Sequence, residues 1–296
     1  SQASQLLLKA WYKTRKNSLS GSRKNIAEHY DLSNVFFKLF LDSSMMYSSA
    51  VYKHKDMTLE EASDYKKELI CQKLQLKPMD HLVEIGSGWG GFAIYAAQHY
   101  GCKVTTITIS QAQYDEATKR IADAGLSHRV NVQLKDYRLL EGKFDKLVSI
   151  EMIEAVGEQY LSTYFNKCRS LLKPNGLGLI QAITIEDARY KKALDTVDYI
   201  KRYIFPGSFI PCISVLTQAA SEQQLRLKHL EDIGLSYAET IHQWRERFLN
   251  AKEHVLALGF DENFIRMWDF YLCYCEGGFK EGVISDVHLL FEASPY

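Results

Sequence analysis

The sequence predicts an α/β protein with a mostly parallel sheet, helices on both faces and an aromatic-rich helical cap. Three observations predict it. From residue 76 to about 185, short apolar runs alternate with amphipathic stretches. A glycine-rich turn from Gly86 to Gly91 follows the first apolar run and opens the next helical stretch. Beyond residue 185 the beat changes to long helical stretches rich in Tyr, Phe and Trp. A strand followed by a helix returns the chain to start a parallel strand, so the alternation builds a parallel sheet covered on both faces. The crossovers are expected to be right-handed.

In chain order, residues 1–75 read as helices and turns, with a strongly apolar stretch at 34–41. Thr58 followed by Glu61 is a capping box, and the helix it opens runs to about Leu76, where Lys77-Pro78 stops it. Strands are expected at 81–85, 103–109, 130–134, 145–151 and 178–184. Helices are expected at 91–100, 113–124 and 158–172, the last ended by Pro174-Asn175-Gly176. Farther on, 186–203, 237–258 and 262–275 read as helices, and 227–233 and 287–292 as two further strands. We therefore expect an N-terminal helical cap segment over 1–75. A sheet domain follows over 76–296, with helical insertions at about 186–225 and 237–280. The cap should lie over the carboxyl ends of the strands, where open α/β sheets bind ligands.

Composition bounds the function. The 296 residues are 46% hydrophobic and 24% charged, enough for a substantial core. Basic and acidic residues balance at 36 each, so no global charge favours nucleic acid or membrane. Local asymmetry exists near the start. Lys9, Lys13, Arg15, Lys16, Arg23 and Lys24 surround Leu6, Leu7, Leu8, Trp11 and Tyr12, which suits either an anionic bilayer surface or a solvated arm. Of the six cysteines only Cys273 and Cys275 are close, and no second pair with zinc-like spacing joins them. The reading is a cytoplasmic protein with reduced thiols, no metal and no transmembrane segment. A lipid substrate would then be met by peripheral contact.

Chemistry concentrates at the glycine turn. Gly86, Gly88 and Gly91 also fit a dinucleotide pattern. A nicotinamide site, however, wants an acid after the second strand, and Thr106 to Gln113 contains none. Glu84 instead sits two residues before the turn, where a carboxylate can meet a cationic ligand. S-adenosylmethionine, with its sulfonium and ammonium, suits Glu84 and the turn of Gly86, Ser87, Gly88, Trp89 and Gly90. Asp136 and Tyr137, after the third strand, suit an adenine amino group and ring.

With that loop placed, the chain resembles the cyclopropane fatty acid synthases from about Ser22 onward. The resemblance rests on His29-Tyr30-Asp31 with Asn34, Met46 to Ala50, the glycine turn, and Thr108 to Gln113. It continues through Ser149 to Gly157, Tyr203 to Gly207 with Pro211, and Cys275 with Phe279. The run from Tyr190 through Trp244 and Trp268 looks most like the plant-like branch. The resemblance implies a Rossmann-like class I methyltransferase fold with a mostly parallel seven-stranded sheet. It implies that Tyr47, Ser48, Gly86 to Gly90, Thr108, Gln113 and Asp136-Tyr137 bind S-adenosylmethionine, with S-adenosylhomocysteine as product. It also implies that Glu154, Ile183 and Tyr237 hold a bicarbonate ion, and that Cys275 belongs to the active site, although a buried apolar thiol is its plainer role. A homodimer is the assembly the family leans toward. Two positions depart from the commoner bacterial pattern: Ser49 stands where that pattern has Cys, and Gln181 where it has His. Ser still offers an amide and a hydroxyl, but Gln cannot take a proton at neutral pH.

The implied reaction is methyl transfer to a cis double bond in an unsaturated phospholipid acyl chain at the inner face of a membrane. A cation forms, a base removes a proton from the new methyl, and the ring closes. Aromatic faces near the cation would stabilise it, and Tyr203, Phe205, Tyr237, Trp268, Tyr271 and Tyr274 are the candidates. In this reading Glu154 orients the bicarbonate base, with Gln181 and Tyr237 as partners. A methyl-branched or methylene product, an amine N-methyltransferase and a non-enzymatic binder remain open alternatives.

Overall fold

A computed structural model describes residues 17–18, 21–22 and 32–295. Lys9, Lys13, Arg15, Lys16, Arg23 and Lys24 of the basic stretch, and the His29-Tyr30-Asp31 motif, lie outside the described residues. Among the described residues, seven strands form one sheet in the order β3-β2-β1-β4-β5-β7-β6. They are β1 (His81–Ile85), β2 (Lys103–Thr108), β3 (Val130–Leu134), β4 (Phe144–Ile150), β5 (Leu172–Ile185), β6 (Leu225–Asp232) and β7 (Ile284–Ala293). The first five pair in parallel, whereas β7 runs antiparallel to both β5 and β6. The mostly parallel seven-stranded sheet read from the sequence is therefore present.

The strand order turns back between β1 and β4. Chain leaving β1 builds β2 and β3 on one side, and later chain builds β4 and β5 on the other. Such a switch point leaves a crevice at the carboxyl ends of the two central strands. The glycine turn leaves β1 there, and Glu151 and Glu154 follow β4 there.

Helices cover both faces. They are α1 (Asn34–Lys38), α2 (Leu59–Lys73), α3 (Gly91–Tyr100), α4 (Gln111–Asp123), α5 (Leu161–Leu171), α6 (Asp187–Leu194), α7 (Ile213–Glu222), α8 (Gly234–Asn250), α9 (Lys252–Ala257) and α10 (Glu262–Lys280). On β1 the side chains alternate: Leu82 joins Phe92, Ala96 and Ile70 of α3 and α2 on one face, and Val83 joins Phe165 and Leu216 of α5 and α7 on the other. A third apolar cluster lies over the crevice. It unites Phe36, Phe37 and Phe40 with Trp89 of the glycine turn and with Tyr237, Trp244, Trp268, Tyr271 and Phe279 of α8 and α10. Helix α1 and the late aromatic helices thus share one layer, whereas α2 joins it only through Leu59 and Ala62 and packs Ile70 and Cys71 on the sheet.

Three elements differ from expectation. Pro174-Asn175-Gly176 does not separate a helix from a strand but bulges inside β5. Leu172 already pairs with Phe144 and Leu177 with Lys146, so the residues between loop outward, with Asn175 at φ 59°. The helix read over 186–203 breaks after Leu194 and resumes as a single π-turn at Ile200–Ile204. Finally, α7 falls inside the helical insertion expected at about 186–225 but packs differently from the cap. Its Leu216, Ala219 and Ala220 pack on the sheet beside α5, so it is a layer helix and not part of the cap.

The capping box at the start of α2 is formed. Glu61 N donates to Thr58 Oγ1 at 3.3 Å, and Thr58 N donates to Glu61 Oε2 at 2.8 Å. Thr58→Ala should lower the unfolding free energy by about 1 kcal/mol, seen as an earlier denaturant midpoint with an unchanged slope. An unmoved midpoint would show that the cap contributes nothing to α2.

Candidate active site

The glycine turn is built for a ligand to approach its backbone. Gly86, Gly88 and Gly90 have φ of 97°, 48° and 85°, a region that side-chain-bearing residues rarely adopt. A Cβ at Gly88 would meet nothing within 4 Å, so the turn opens there onto free space. Gly91 has a different role: a Cβ there would lie 2.4 Å from the Ser44 carbonyl, so its absence lets α3 pack under the segment that leads to Tyr47. Below the turn, Glu84 is buried and accepts one hydrogen bond from Thr106 Oγ1 at 2.5 Å. Burial pushes the Glu84 carboxyl up to about 8, partly offset by Thr106 and by the charge of Lys66. A cradle with open space at Gly88 and a destabilised acid beneath it fits a cationic ligand such as S-adenosylmethionine.

The second half of the site is a carboxylate held by donors. Glu151 accepts from Ser49 N at 2.7 Å and from Gln181 Nε2 at 2.8 Å on Oε1, and from the Tyr237 hydroxyl at 2.7 Å on Oε2. Its backbone sits at φ 47°, an uncommon and costly conformation for a residue with a side chain. Protein surrounds it, yet it keeps some accessible surface. Gln181 Nε2 also donates to Asp286 Oδ2 at 2.7 Å. Burial, and then the Glu151 charge, push Asp286 far above the usual carboxylate range. Burial also raises Glu151, and hydrogen bonds and the Lys66 charge offset only part of that rise. The proton shared by this pair therefore rests on Asp286, leaving Glu151 as the acceptor its donors require.

A chain of contacts sets the orientation of Gln181. Lys73 reaches His288 Nδ1 at 2.7 Å and pairs with Glu231 near the surface. An ammonium can only donate, so Nδ1 accepts and the proton of the neutral ring sits on Nε2. Burial and the neighbouring lysines hold His288 well below its usual pKa, which keeps it neutral. His288 Nε2 then donates to Gln181 Oε1 at 3.2 Å, turning the amide nitrogen toward the two acids.

The structure brings some predicted residues together and separates others. Ser49, Gln181 and Tyr237 meet, but on Glu151 and not on Glu154. Glu154 Oε1 instead accepts from Ile183 N at 2.6 Å, and Oε2 takes no hydrogen bond from any described residue. Burial and the Glu151 charge push Glu154 up to about 8. Bicarbonate does not fit this arrangement, because Glu151 already occupies donors that would receive it. Ser48 accepts from Lys66 Nζ at 2.6 Å, and burial lowers that ammonium to about 8. Tyr47 meets Tyr271, hydroxyl to hydroxyl, at 3.0 Å. Thr108 Oγ1 donates to Gln113 Oε1 at 2.9 Å beside the turn. Trp89 Nε1 donates to Asn34 Oδ1 at 2.7 Å, so its ring serves the cap.

Asp136 and Tyr137 are not arranged as an adenine clamp. Arg138 engages both Asp136 oxygens, at 2.8 and 2.6 Å, and the Tyr137 ring packs in the core against Tyr164 at 5.5 Å. Cys275 packs against the apolar cap cluster and burial pushes its thiol up, which matches the plainer role.

Sequence reasoning missed Glu151, Lys66, Asp286 and His288. Glu151 carried a signal, since it stands at the end of an apolar strand three residues before Glu154. Lys66 carried none, because a lysine within Lys66-Lys67 reads as solvent-facing, yet both are buried.

The chain is similar to known proteins along most of its length. The mycolic acid cyclopropane synthetase family model matches residues 17–289. The chain is 37% identical over 279 residues to the tuberculostearic acid methyltransferase UfaA1 of Mycobacterium tuberculosis, covering 91% of this chain and 65% of that protein. It is 39% identical over 253 residues to the cyclopropane-fatty-acyl-phospholipid synthase of Escherichia coli, covering 86% and 63%. The chain thus spans just under two thirds of these relatives' lengths. Among solved structures, the cyclopropane synthase MmaA2 of Mycobacterium tuberculosis superimposes with a TM-score of 0.86 at 28% identity, over 91% of this chain and 98% of that one. With a match across nearly its whole length and relatives above 35% identity, the chain belongs to the mycolic acid cyclopropane synthetase family.

Proposed function

We propose that this protein transfers a methyl group from S-adenosylmethionine to a cis double bond of an unsaturated phospholipid acyl chain and closes a cyclopropane ring. The observation that carries the reading is a junction. Glu151 and Glu154 end β4 beside the glycine turn, and a buried aromatic layer lies above them. In that layer Tyr47 is 5.3 Å from Trp244 and 6.4 Å from Phe205, and Phe205 is 6.3 Å from Tyr271. An apolar chain needs such apolar surroundings, and a cation forming on it is stabilised by ring faces away from water.

S-adenosylmethionine supplies the electrophilic methyl. Gly86, Ser87, Gly88 and Gly90 would hold it through their backbone, with Glu84 below and Tyr47, Ser48, Thr108 and Gln113 around it. The protein's own part is to exclude water, align the double bond and accept a proton. Ring closure balances with a base alone, whereas a saturated methyl branch also needs a hydride donor. The surrounded carboxylates therefore favour a product formed by proton loss, the ring, over a saturated branch, and proton NMR of the extracted lipid should show cyclopropane and no methylene signals.

No helix among the described residues is long and apolar enough to cross a membrane. Access from a bilayer is instead supported by an aromatic patch on α10 and the π-turn. Tyr203, Phe270 and Tyr274 are about half exposed, and Tyr199 links them to the buried layer, with Phe270 at 4.7 Å. We assign peripheral docking on the cytoplasmic side of a membrane to this face. A Phe270→Ser, Tyr274→Ser double variant should lose vesicle binding in sedimentation assays while keeping S-adenosylmethionine affinity. Unchanged vesicle binding would move the docking face elsewhere.

Incubation of purified protein with S-adenosylmethionine and vesicles of unsaturated phospholipid should add one CH2 per chain by mass spectrometry, without a reductant. A CH4 gain that appears only with an added nicotinamide reductant would point to the methyl-branched product, and no gain at all would refute the reading. Cofactor affinity should also depend on pH in a defined direction. Glu84 is raised to about 8, so below that pH the free protein holds it neutral. Cation binding favours the carboxylate, so affinity should climb as pH rises toward 8 and then level off. Calorimetry on Glu84→Gln should show that climb flattened; an equal climb in the variant would exclude Glu84 as its source.

A further inference from the structure

We infer that the Glu151 carboxylate is itself the base of the reaction, built into the chain where the family resemblance implies a bound bicarbonate. This rests on the proposed methyl transfer and names the group that completes it.

Three observations lead there. First, Glu151 lies on Ser49 N, Gln181 Nε2 and the Tyr237 hydroxyl, an anion cradle in which a carboxylate already sits. Tyr237 is one of the positions the resemblance gives to bicarbonate, and Ser49 and Gln181 are the two that depart from the common pattern. Second, the backbone at Glu151 is held at φ 47°. An uncommon conformation at a strand end re-aims a side chain, and here it points the acid back over the crevice. Third, Met152 lies 3.3 Å from the Cβ position of Gly86, and Ser149 Oγ donates to the Ile85 carbonyl at 3.1 Å. The Glu151 backbone is thus clamped against the root of the glycine turn from both sides.

The departures at Ser49 and Gln181 then have a physical account. A glutamate side chain in the cradle needs no proton-exchanging histidine to hold a free anion. It needs a neutral amide that donates to both Glu151 and Asp286, and Gln181, oriented by His288 and Lys73, does this. The step balances. The alkene π pair forms the new C–C bond to the methyl carbon, and the C–S pair leaves with the sulfur of S-adenosylhomocysteine. A proton passes from the transferred methyl to a Glu151 oxygen, and the freed C–H pair closes the ring on the cation. Glu151 ends as a carboxylic acid and returns its proton to solvent before the next turnover.

The test uses the full chain with bicarbonate as the probe. Wild-type product formation on unsaturated vesicles should be the same in bicarbonate-stripped and bicarbonate-supplemented buffer. Glu151→Gln should lower turnover by about a hundredfold or more in both buffers, with S-adenosylmethionine binding intact by calorimetry. Glu151→Gly, which empties the cradle, should also be slow but recover saturably with added bicarbonate or formate. Wild-type turnover that falls when bicarbonate is removed, or a Glu151→Gln enzyme at the wild-type rate, would overturn the inference.

If the wild type makes no product from lipid, the proposed function fails, and binding decides the inference separately. Saturable binding of 13C-bicarbonate to Glu151→Gly but not to wild type supports a cradle filled by Glu151. Binding to wild type, or to neither, overturns it.

Discussion

The structure turns on one constraint: a charged carboxylate, Glu151, kept inside the protein between the sheet and the cap. A surrounded anion is costly unless donors replace its water. Here an amide from the segment before α2, an amide side chain from β5 and a hydroxyl from α8 converge on it. Those donors come from three regions far apart in sequence, so the cap and the sheet must close together for the acid to be satisfied. The same contacts give the cap a defined seat over the switch point of the sheet.

Around that anion the site shows graded proton affinity. Asp286 is pushed far up, Glu154 and Glu84 rise to about 8, and Lys66 falls to about 8. All four shifts have burial as their largest cause. Glu151 departs from its acidic neighbours in the number of donors that favour its charged form. In the proposed reaction a cation near this cluster would meet one carboxylate and several neutral acids, an arrangement that can take up a proton without gathering excess negative charge away from water. The outer ring of Gln181, His288, Lys73 and Glu231 reaches from Glu151 to the surface and holds the amide the right way round.

Much of this was legible in the residues. The strand–helix beat and the glycine turn specified β1 and α3 to the residue, because Gly86 to Gly91 and Gly101 mark their ends with conformations few other residues adopt. The capping box at Thr58 announced α2. Less legible was anything set by tertiary contact. The bulge in β5 depends on pairing with β4, and the break after Leu194 depends on how the π-turn seats Tyr199 against α10. At the candidate site, motif positions pointed to Ser49, Gln181, Ile183 and Tyr237, which the structure places on Glu151 and Glu154. Their partner was misjudged, because Glu151 and Glu154 lie three residues apart and only the φ of 47° at Glu151 tells which acid turns into the cradle. Lys66 and Asp286 were invisible, since a charged residue in a helix or at a strand end reads as exposed until the fold shows it enclosed.

The most direct measurement is an experimental structure of the protein with S-adenosylhomocysteine, grown in bicarbonate and refined at a resolution that separates a carboxylate from a free anion. The account predicts the nucleoside over the Gly86 to Gly90 turn and the Glu151 carboxylate on Ser49, Gln181 and Tyr237, with the aromatic chamber open beside the cofactor sulfur. Density for a separate planar anion on those donors, with Glu151 turned away, would contradict it.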